Sequence, residues 1–223
     1  MLTFGRRGQR GYFEIDPNAP MLIPRVFHTI WVQGALPESY RRWHESWLKY
    51  NPDWTHRLWH GPDLRKLMEH TINEAIYMDA VNHAQRAEIA SRHIIFEYGG
   101  VWVDADFECL RPIEPLLLGA ECFVGEEQHS CMSAGIWGAT PQHPLIQKVI
   151  DAITPSIEYQ RQARLSQTHG AGPKILHREW SPQPDGLKVF PPKVFYPYLY
   201  DEPDPGVYGD AYAVHHWAAT WKQ

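Results

Sequence analysis

The run AQRAEIASRHIIFEYGGVWVDADFECL, residues 84–110, decides the reading of this chain. Ala84, Ala87, Ile94, Ile95 and Tyr98 recur near helical spacing, with Gln85, Glu88, Ser91, Arg92 and Glu97 at other positions, so the pattern predicts an amphipathic helix. Gly99 and Gly100 end it. Val101, Trp102 and Val103 follow as a β-prone run without a polar residue, as expected of a central strand covered on both faces. That strand delivers Asp104 and Asp106 at its carboxyl end, and in an extended chain residues i and i+2 project to the same side. Two like charges about 4 Å apart repel by roughly 4 kcal/mol at an effective dielectric near 20, so something positive belongs beside them. A hard divalent cation with oxygen ligands, manganese or magnesium, meets that need, above all one that also takes oxygens from a substrate diphosphate. An isolated Asp-x-Asp is more often a pair of solvated loop carboxylates, so the surrounding chain has to separate the two readings.

Upstream, Pro24 leads into a predicted strand over 25–32, with Val26, His28 and Ile30 on one side and Phe27, Thr29 and Trp31 on the other. His28 reads as a satisfied, partly buried histidine. Residues 38–49 form a predicted helix with Pro37 as its first helical residue and Tyr40, Trp43, Trp47 and Leu48 on an apolar, core-facing stripe. A turn at Asn51-Pro52-Asp53, a strand over 55–59 and a short helix over 62–70 follow. Downstream come strands over 121–125 and 131–139, a helix over 145–153, a polar and helical stretch over 156–169, and a Gly170-Ala171-Gly172-Pro173 turn. The Pro- and Tyr-dense segment over 190–200 is expected to pack as an extended layer on the sheet. Strand and helix alternate, which predicts an α/β domain with a mostly parallel central sheet flanked by helices. Ligands in such sheets bind beyond the carboxyl ends of the strands, where Trp31 and the aspartates meet.

With 223 residues, 43% of them hydrophobic, the chain can bury one substantial core in one domain, here 23–223, after an irregular arm over 1–22. Ten Trp and eleven Tyr supply core volume and flat faces for stacking on sugars or a nucleobase. Net charge is -5, and the basic residues are scattered apart from Arg6, Arg7 and Arg10. This weighs against a nucleic-acid partner, although a local basic patch would suffice for one. Cys109, Cys122 and Cys131 are an odd number without metal-ligand spacing, which points to reduced, buried thiols in a cytoplasmic protein. Nothing in the sequence reads as a signal peptide or a membrane span.

Four runs, IPRVFHTIWVQG (23–34), ESWLKYNPDW (45–54), EYGGVWVDADFECL (97–110) and HHWAATW (215–221), occur in order over about 200 residues. Together they resemble the Asp-x-Asp glycosyltransferases with a glycine-rich sugar-binding region. That family includes fungal α-mannosyltransferases and capsular polysaccharide transferases, and is distantly similar to the large glucosylating toxins. The resemblance implies a GT-A-type single domain and a metal-dependent, retaining transfer of a hexose. The donor would be a nucleotide-diphosphate sugar, a UDP- or GDP-hexose, and the acceptor a hydroxyl on a glycan, a protein or a modified base, in a bacterial or viral setting.

Carried over residue by residue, the resemblance makes Asp104 and Asp106 the catalytic carboxylates. Asp106 would bind Mn2+ or Mg2+ directly, His216 would join it, and Asp104 would contact the ribose or the metal through water. Trp31 would lie beside the nucleobase and the Trp221 indole N–H would reach the donor phosphates. The Gly170-Pro173 turn would lie near the acceptor side. Members usually carry Asp at the position of Glu88 and Arg at that of Ser91. Glu88 keeps the charge. Arg92 is one residue on, about 100° around the helix, and substitutes only through a shifted helix or a long reach. Glu88 and Arg92 are thus the expected donor-binding pair. The run Ser133-Ala134-Gly135 lacks an Asn often found there. Two alternatives remain at this point: a nucleotide-sugar hydrolase whose acceptor is water, and a catalytically silent sugar- or nucleotide-sugar-binding protein, motivated by Ser91.

Overall fold

The computed structural model describes residues 3–4, 13–127, 131–165 and 170–218. In chain order the first elements are β1 (Thr3–Phe4), β2 (Phe13–Glu14), β3 (Val26–Ile30), α1 (Glu38–Tyr50), β4 (Thr55–Trp59), α2 (Gly61–Met68) and α3 (Glu74–Met78). The deciding stretch becomes α4 (His83–Tyr98), β5 (Gly100–Val103) and β6 (Phe107–Cys109). After it come α5 (Glu114–Leu117), β7 (Cys122–Glu127), β8 (Cys131–Ala139), α6 (Pro144–Gln162) and α7 (Pro173–Glu179). The chain closes with β9 (Leu187–Phe190), α8 (Pro192–Phe195) and β10 (Ala213–His215).

Six strands form the central sheet in the order β4-β3-β5-β8-β7-β9. β3 pairs parallel with β4 and β5, β7 pairs parallel with β9, and β8 runs against both of its neighbours. The sheet is therefore mostly parallel, as expected. Every residue of β5 is buried. Its alternation divides the core: Val101 and Val103 join Phe27, Trp47, Phe107, Phe123 and Phe195 on one face, while Trp102 joins Ile89, Ile94, Trp137, Val149 and Ile153 on the other. Each large apolar side chain so buried contributes about 1.5–3 kcal/mol.

Both glycines between α4 and β5 are required. Gly99 closes the helix at φ 63°, and a Cβ there would lie 2.7 Å from Pro141 Cδ. Gly100 follows at φ 92°, with a Cβ position 2.6 Å from the Val26 carbonyl oxygen, so an L side chain fits neither the dihedral nor the space. At the other end Asn82 caps α4 by accepting from the Gln85 N–H at 2.9 Å.

Several expectations are corrected. α4 is not amphipathic in the simple sense: residues 89–95 are all buried, including Ser91, Arg92 and His93, while Tyr98 is exposed. The polar members are satisfied locally, His93 by Asn73 Oδ1 at 2.9 Å. Pro37 is the extended N-cap residue of α1 rather than its first helical residue, and Leu48 faces outward. The arm over 1–22 contains the antiparallel β1–β2 ladder, and Ile15 is buried in the core. The Pro- and Tyr-rich segment is partly regular, since it begins on the last residue of β9 and holds α8. α6 runs from Pro144 through Pro155 to Gln162, longer than the pattern suggested. His28 is fully buried and satisfied, accepting from Trp59 Nε1 on Nδ1 at 3.0 Å and facing the Gly99 carbonyl with Nε2 at 3.1 Å. Cys109 and Cys122 are buried, Cys131 is half-buried, and all three thiols are free. Among the described residues no helix is long and apolar enough to cross a membrane.

Candidate functional site

A cleft of about 490 Å³ opens at the carboxyl ends of β3, β5 and β7. Trp31, Glu88, Asp104, Asp106, Glu127 and His215 line it. Asp104 and Asp106 do not converge by staying extended, as the sequence suggested. The Phe107 N–H donates to the Asp104 carbonyl at 3.1 Å, so the chain turns between β5 and β6, and the turn brings both carboxylates to one corner. Trp102 donates from Nε1 to Asp104 Oδ1 at 2.9 Å, and the Asp104 N–H donates to the Gly135 carbonyl at 2.9 Å. Gly135 leaves the room for this: a Cβ there would lie 2.9 Å from Phe107 and 3.2 Å from Asp104 Oδ2.

The positive partner comes from the far end of the chain. β10 pairs antiparallel with β6 so that His215 stands opposite Phe107, its ring stacked on the phenyl at a centroid distance of 4.6 Å. His215 Nε2 then lies 3.0 Å from Asp106 Oδ1. Trp217 turns the chain at φ 51°, which lets the Ala218 N–H donate to Asp106 Oδ2 at 2.9 Å, and the His216 N–H donates to the Asp106 carbonyl at 2.9 Å. One ligand-capable atom each from Asp104, Asp106 and His215 lies within 4.8 Å of the others.

Burial pushes the Asp104 carboxyl up to about 7, and the charges of Glu88 and Asp106 add to this while His215 works against it. Burial acts on Asp106 in the same sense, but the His215 ring and the Ala218 N–H outweigh it and hold this carboxyl below its ordinary range. His215 is buried too, which disfavours its charge, yet Asp106 and Asp104 overcome that and raise it. The repulsion anticipated between the two aspartates is thus eased by an imidazole drawn toward its protonated form and by a raised Asp104 carboxyl.

His216 takes another place. It stacks on Trp43 at 4.4 Å, and its nitrogens engage Glu108 at 2.9 Å and Asp204 at 3.6 Å. The histidine at the aspartates is therefore His215, not His216. Arg92 is likewise displaced from the expected role. Its guanidinium is fully buried, pairs with the Glu88 carboxylate, and donates to the Glu88 carbonyl at 2.8 Å, to Ser91 Oγ at 2.7 Å and to the Ala171 carbonyl at 3.0 Å. It stands behind Glu88 and does not line the cleft. Glu88 does, and its carboxyl is raised by burial against the pull of Arg92. Trp31 lines the cleft too, tilted on Tyr40 at 4.8 Å, with its buried Nε1 lacking a partner among the described residues. Gly172 and Pro173 line the cleft as well. Trp221 lies outside the described residues. Sequence reasoning missed Glu127 and the Ser133 and Tyr196 hydroxyls behind it. It also missed His215, and strand parity offered no signal, since Ala213 and Val214 on the two sides of β10 are both buried.

The described lining residues include four carboxylates and no Lys or Arg.

Residues 37–123 match the family model described as glycosyltransferase sugar-binding region containing DXD motif. Residues 37–123 are thus similar to the sugar-binding region of DXD glycosyltransferases. The motif of that name is Asp104-Ala105-Asp106. Inositol phosphoceramide mannosyltransferase 3 of Schizosaccharomyces pombe is 24% identical over 224 residues, covering 92% of this chain and 63% of the relative. The chain thus spans less than two thirds of that protein. Among solved structures, PaToxG glycosyltransferase superposes with a TM-score of 0.58 at 15% identity, over 72% of this chain and 69% of that one. The UDP-bound glycosyltransferase domain of the YGT toxin gives 0.58 at 10% identity, over 76% and 80%. These likenesses show a GT-A fold for the DXD glycosyltransferase region and its surroundings.

Proposed function

We propose that this protein is a metal-dependent glycosyltransferase moving a hexose from a UDP- or GDP-sugar to an acceptor hydroxyl on a glycan, a protein or a modified base, with retention at the anomeric carbon. The observation that carries the reading is the meeting of Asp104, Asp106 and His215 in an acidic cleft that also presents Trp31. A carboxylate-rich set completed by one imidazole suits Mn2+ or Mg2+, and His215 Nδ1, buried without a partner among the described residues, adds an unsatisfied polar atom at the same corner. When bound, such an ion supplies Lewis-acid neutralisation of the charge that builds on a departing diphosphate.

The chain's own residues do the rest. Asp106, fixed by two hydrogen bonds, holds its charge at neutral pH; Asp104, steered by Trp102, gives up its proton on loading. Glu88 presents a hydrogen-bond acceptor to donor hydroxyls, and Trp31 offers its flat face to the base. A reducing, cytoplasmic setting is part of the reading, supported by three free thiols.

Thermal unfolding with UDP- and GDP-hexoses, each with and without manganese, tests it. A donor at about 100 times its dissociation constant stabilises by about 2.7 kcal/mol, a shift of roughly 5–10 °C at this size. The expected result is a manganese-dependent shift for one donor that vanishes in Asp106→Asn. No shift with any donor rejects the reading.

A further inference from the structure

The sheet order lays the cleft out as a line. Trp31 follows β3, Asp104 follows β5, and Glu127 ends β7, with β8 between the last two. Neighbouring strands lie about 4.8 Å apart, so three spacings put the strand of Glu127 about 14 Å from that of Trp31. Both side chains nevertheless line the same cleft. On the reading above, base and diphosphate occupy the stretch from Trp31 to the aspartates, and Glu127 stands past the diphosphate, where donor sugar and acceptor meet.

Glu127 also differs from the other carboxylates in how it is held. Asp104 and Asp106 converge with His215, and Glu88 is paired with Arg92. Glu127 is oriented by a hydroxyl: Ser133 Oγ donates to Glu127 Oε1 at 2.6 Å. Ser133 Oγ in turn accepts from the buried Tyr196 hydroxyl and, at 3.1 Å, from the Gly135 N–H. A hydroxyl relay aims a carboxylate without cancelling its charge, which leaves it a strong acceptor for another O–H.

We propose that Glu127 is the acceptor-binding residue of this site: its carboxylate accepts the hydrogen of the hydroxyl that attacks the donor sugar, and the Tyr196–Ser133 relay aims it. The assignment rests on the glycosyltransferase reading. In the step, the acceptor oxygen bonds to the anomeric carbon as the bond from that carbon to the diphosphate oxygen breaks. The bonding pair leaves with the diphosphate, and the single hydroxyl hydrogen, shared in a forked hydrogen bond between the Glu127 carboxylate and the departing phosphate oxygen, ends on the phosphate oxygen.

Water serves as a test acceptor that requires no knowledge of the natural one. Donor affinity and release of free hexose are measured with GDP-mannose and UDP-glucose in manganese, on the natural protein and on Glu127→Gln. Glu127→Gln is expected to keep its unfolding midpoint and to hold the donor within twofold, while hexose release falls about 100-fold through lost orientation. Tyr196→Phe, acting only through the relay, loses about fivefold. In Glu127→Ala, added formate restores release severalfold, an effect that a purely structural glutamate would not produce. If the natural protein binds a donor but Glu127→Gln releases hexose at the same rate, the assignment of Glu127 is overturned and the transferase reading stands. If no donor binds the natural protein, the transferase reading fails and this one with it.

Discussion

Two positive charges reach carboxylates at this cleft, and they arrive by opposite routes. Arg92 is four residues from Glu88 on one helix, whereas His215 is 109 residues from Asp106 and reaches it through the β6–β10 ladder. The first pair follows from helix geometry, the second from tertiary pairing. Their environments differ as well. The Arg92 side chain is 0% exposed and its donors go to Glu88, Ser91 and Ala171, so its work is to hold α4 against the loop before α7. His215 and Asp106 keep 11% and 16% exposure at the cleft wall, open enough for a ligand to replace the proton between them. The comparison separates a buried ion pair that builds the wall from one that, on the proposed reading, exchanges a proton for a metal.

Breaking the structural pair has the largest effect. Arg92→Met leaves Glu88 and the Ala171 carbonyl without their partner, and urea unfolding is expected to show a loss of about 3 kcal/mol, at the lower end for a broken buried pair because Glu88 keeps 24% exposure. An unchanged midpoint would mean that Arg92 carries no such load.

Removing the exchangeable pair acts on ligand rather than fold. His215→Ala is expected to weaken manganese-dependent donor binding by about 10- to 100-fold, or roughly 1.4–2.7 kcal/mol, read by calorimetry. Should His216→Ala weaken it instead, the assignment of the two histidines is reversed.

The pH response sharpens the contrast. With its carboxyl raised to about 7, Asp104 holds a proton in the native, metal-free protein that the unfolded chain releases near 3.8. The metal-free protein therefore gains stability from Asp104 as pH falls from about 7 toward 4. Manganese must displace that proton, besides any carried by His215, so the Asp104 proton alone lowers its affinity by up to about tenfold per pH unit below 7. Asp104→Asn is expected to make the pH dependence of metal binding shallower by about one proton, and an unchanged slope would locate that proton elsewhere.

The smallest effect is expected at His216. Its pairing with Glu108 is half-exposed on the carboxylate side, so His216→Ala should cost under about 1 kcal/mol in thermal unfolding, mostly lost stacking on Trp43.

Local chemistry in the chain was enough for the helix–Gly–Gly–strand–Asp-x-Asp unit, because each part depends on neighbours within a few residues. Gly99 and Gly100 need left-handed backbone, the 101–103 run has no polar residue, and the aspartates follow directly. Local chemistry also sufficed for the mostly parallel sheet, since strand and helix alternate along the chain, and for the likeness to DXD glycosyltransferases. It could not choose between His215 and His216, because one residue of register in β10 decides which imidazole turns inward, and register is set by packing Ala213 and Val214 against β6. Nor could it foresee that Arg92 would be consumed inside the wall, or that Tyr196 and Ser133 would converge behind Glu127 across 63 residues of chain. Periodicity reports which face of an element avoids water. Which distant polar groups share that interior is decided only when the elements dock, since a buried charge or hydroxyl takes whatever partner the packing brings within reach.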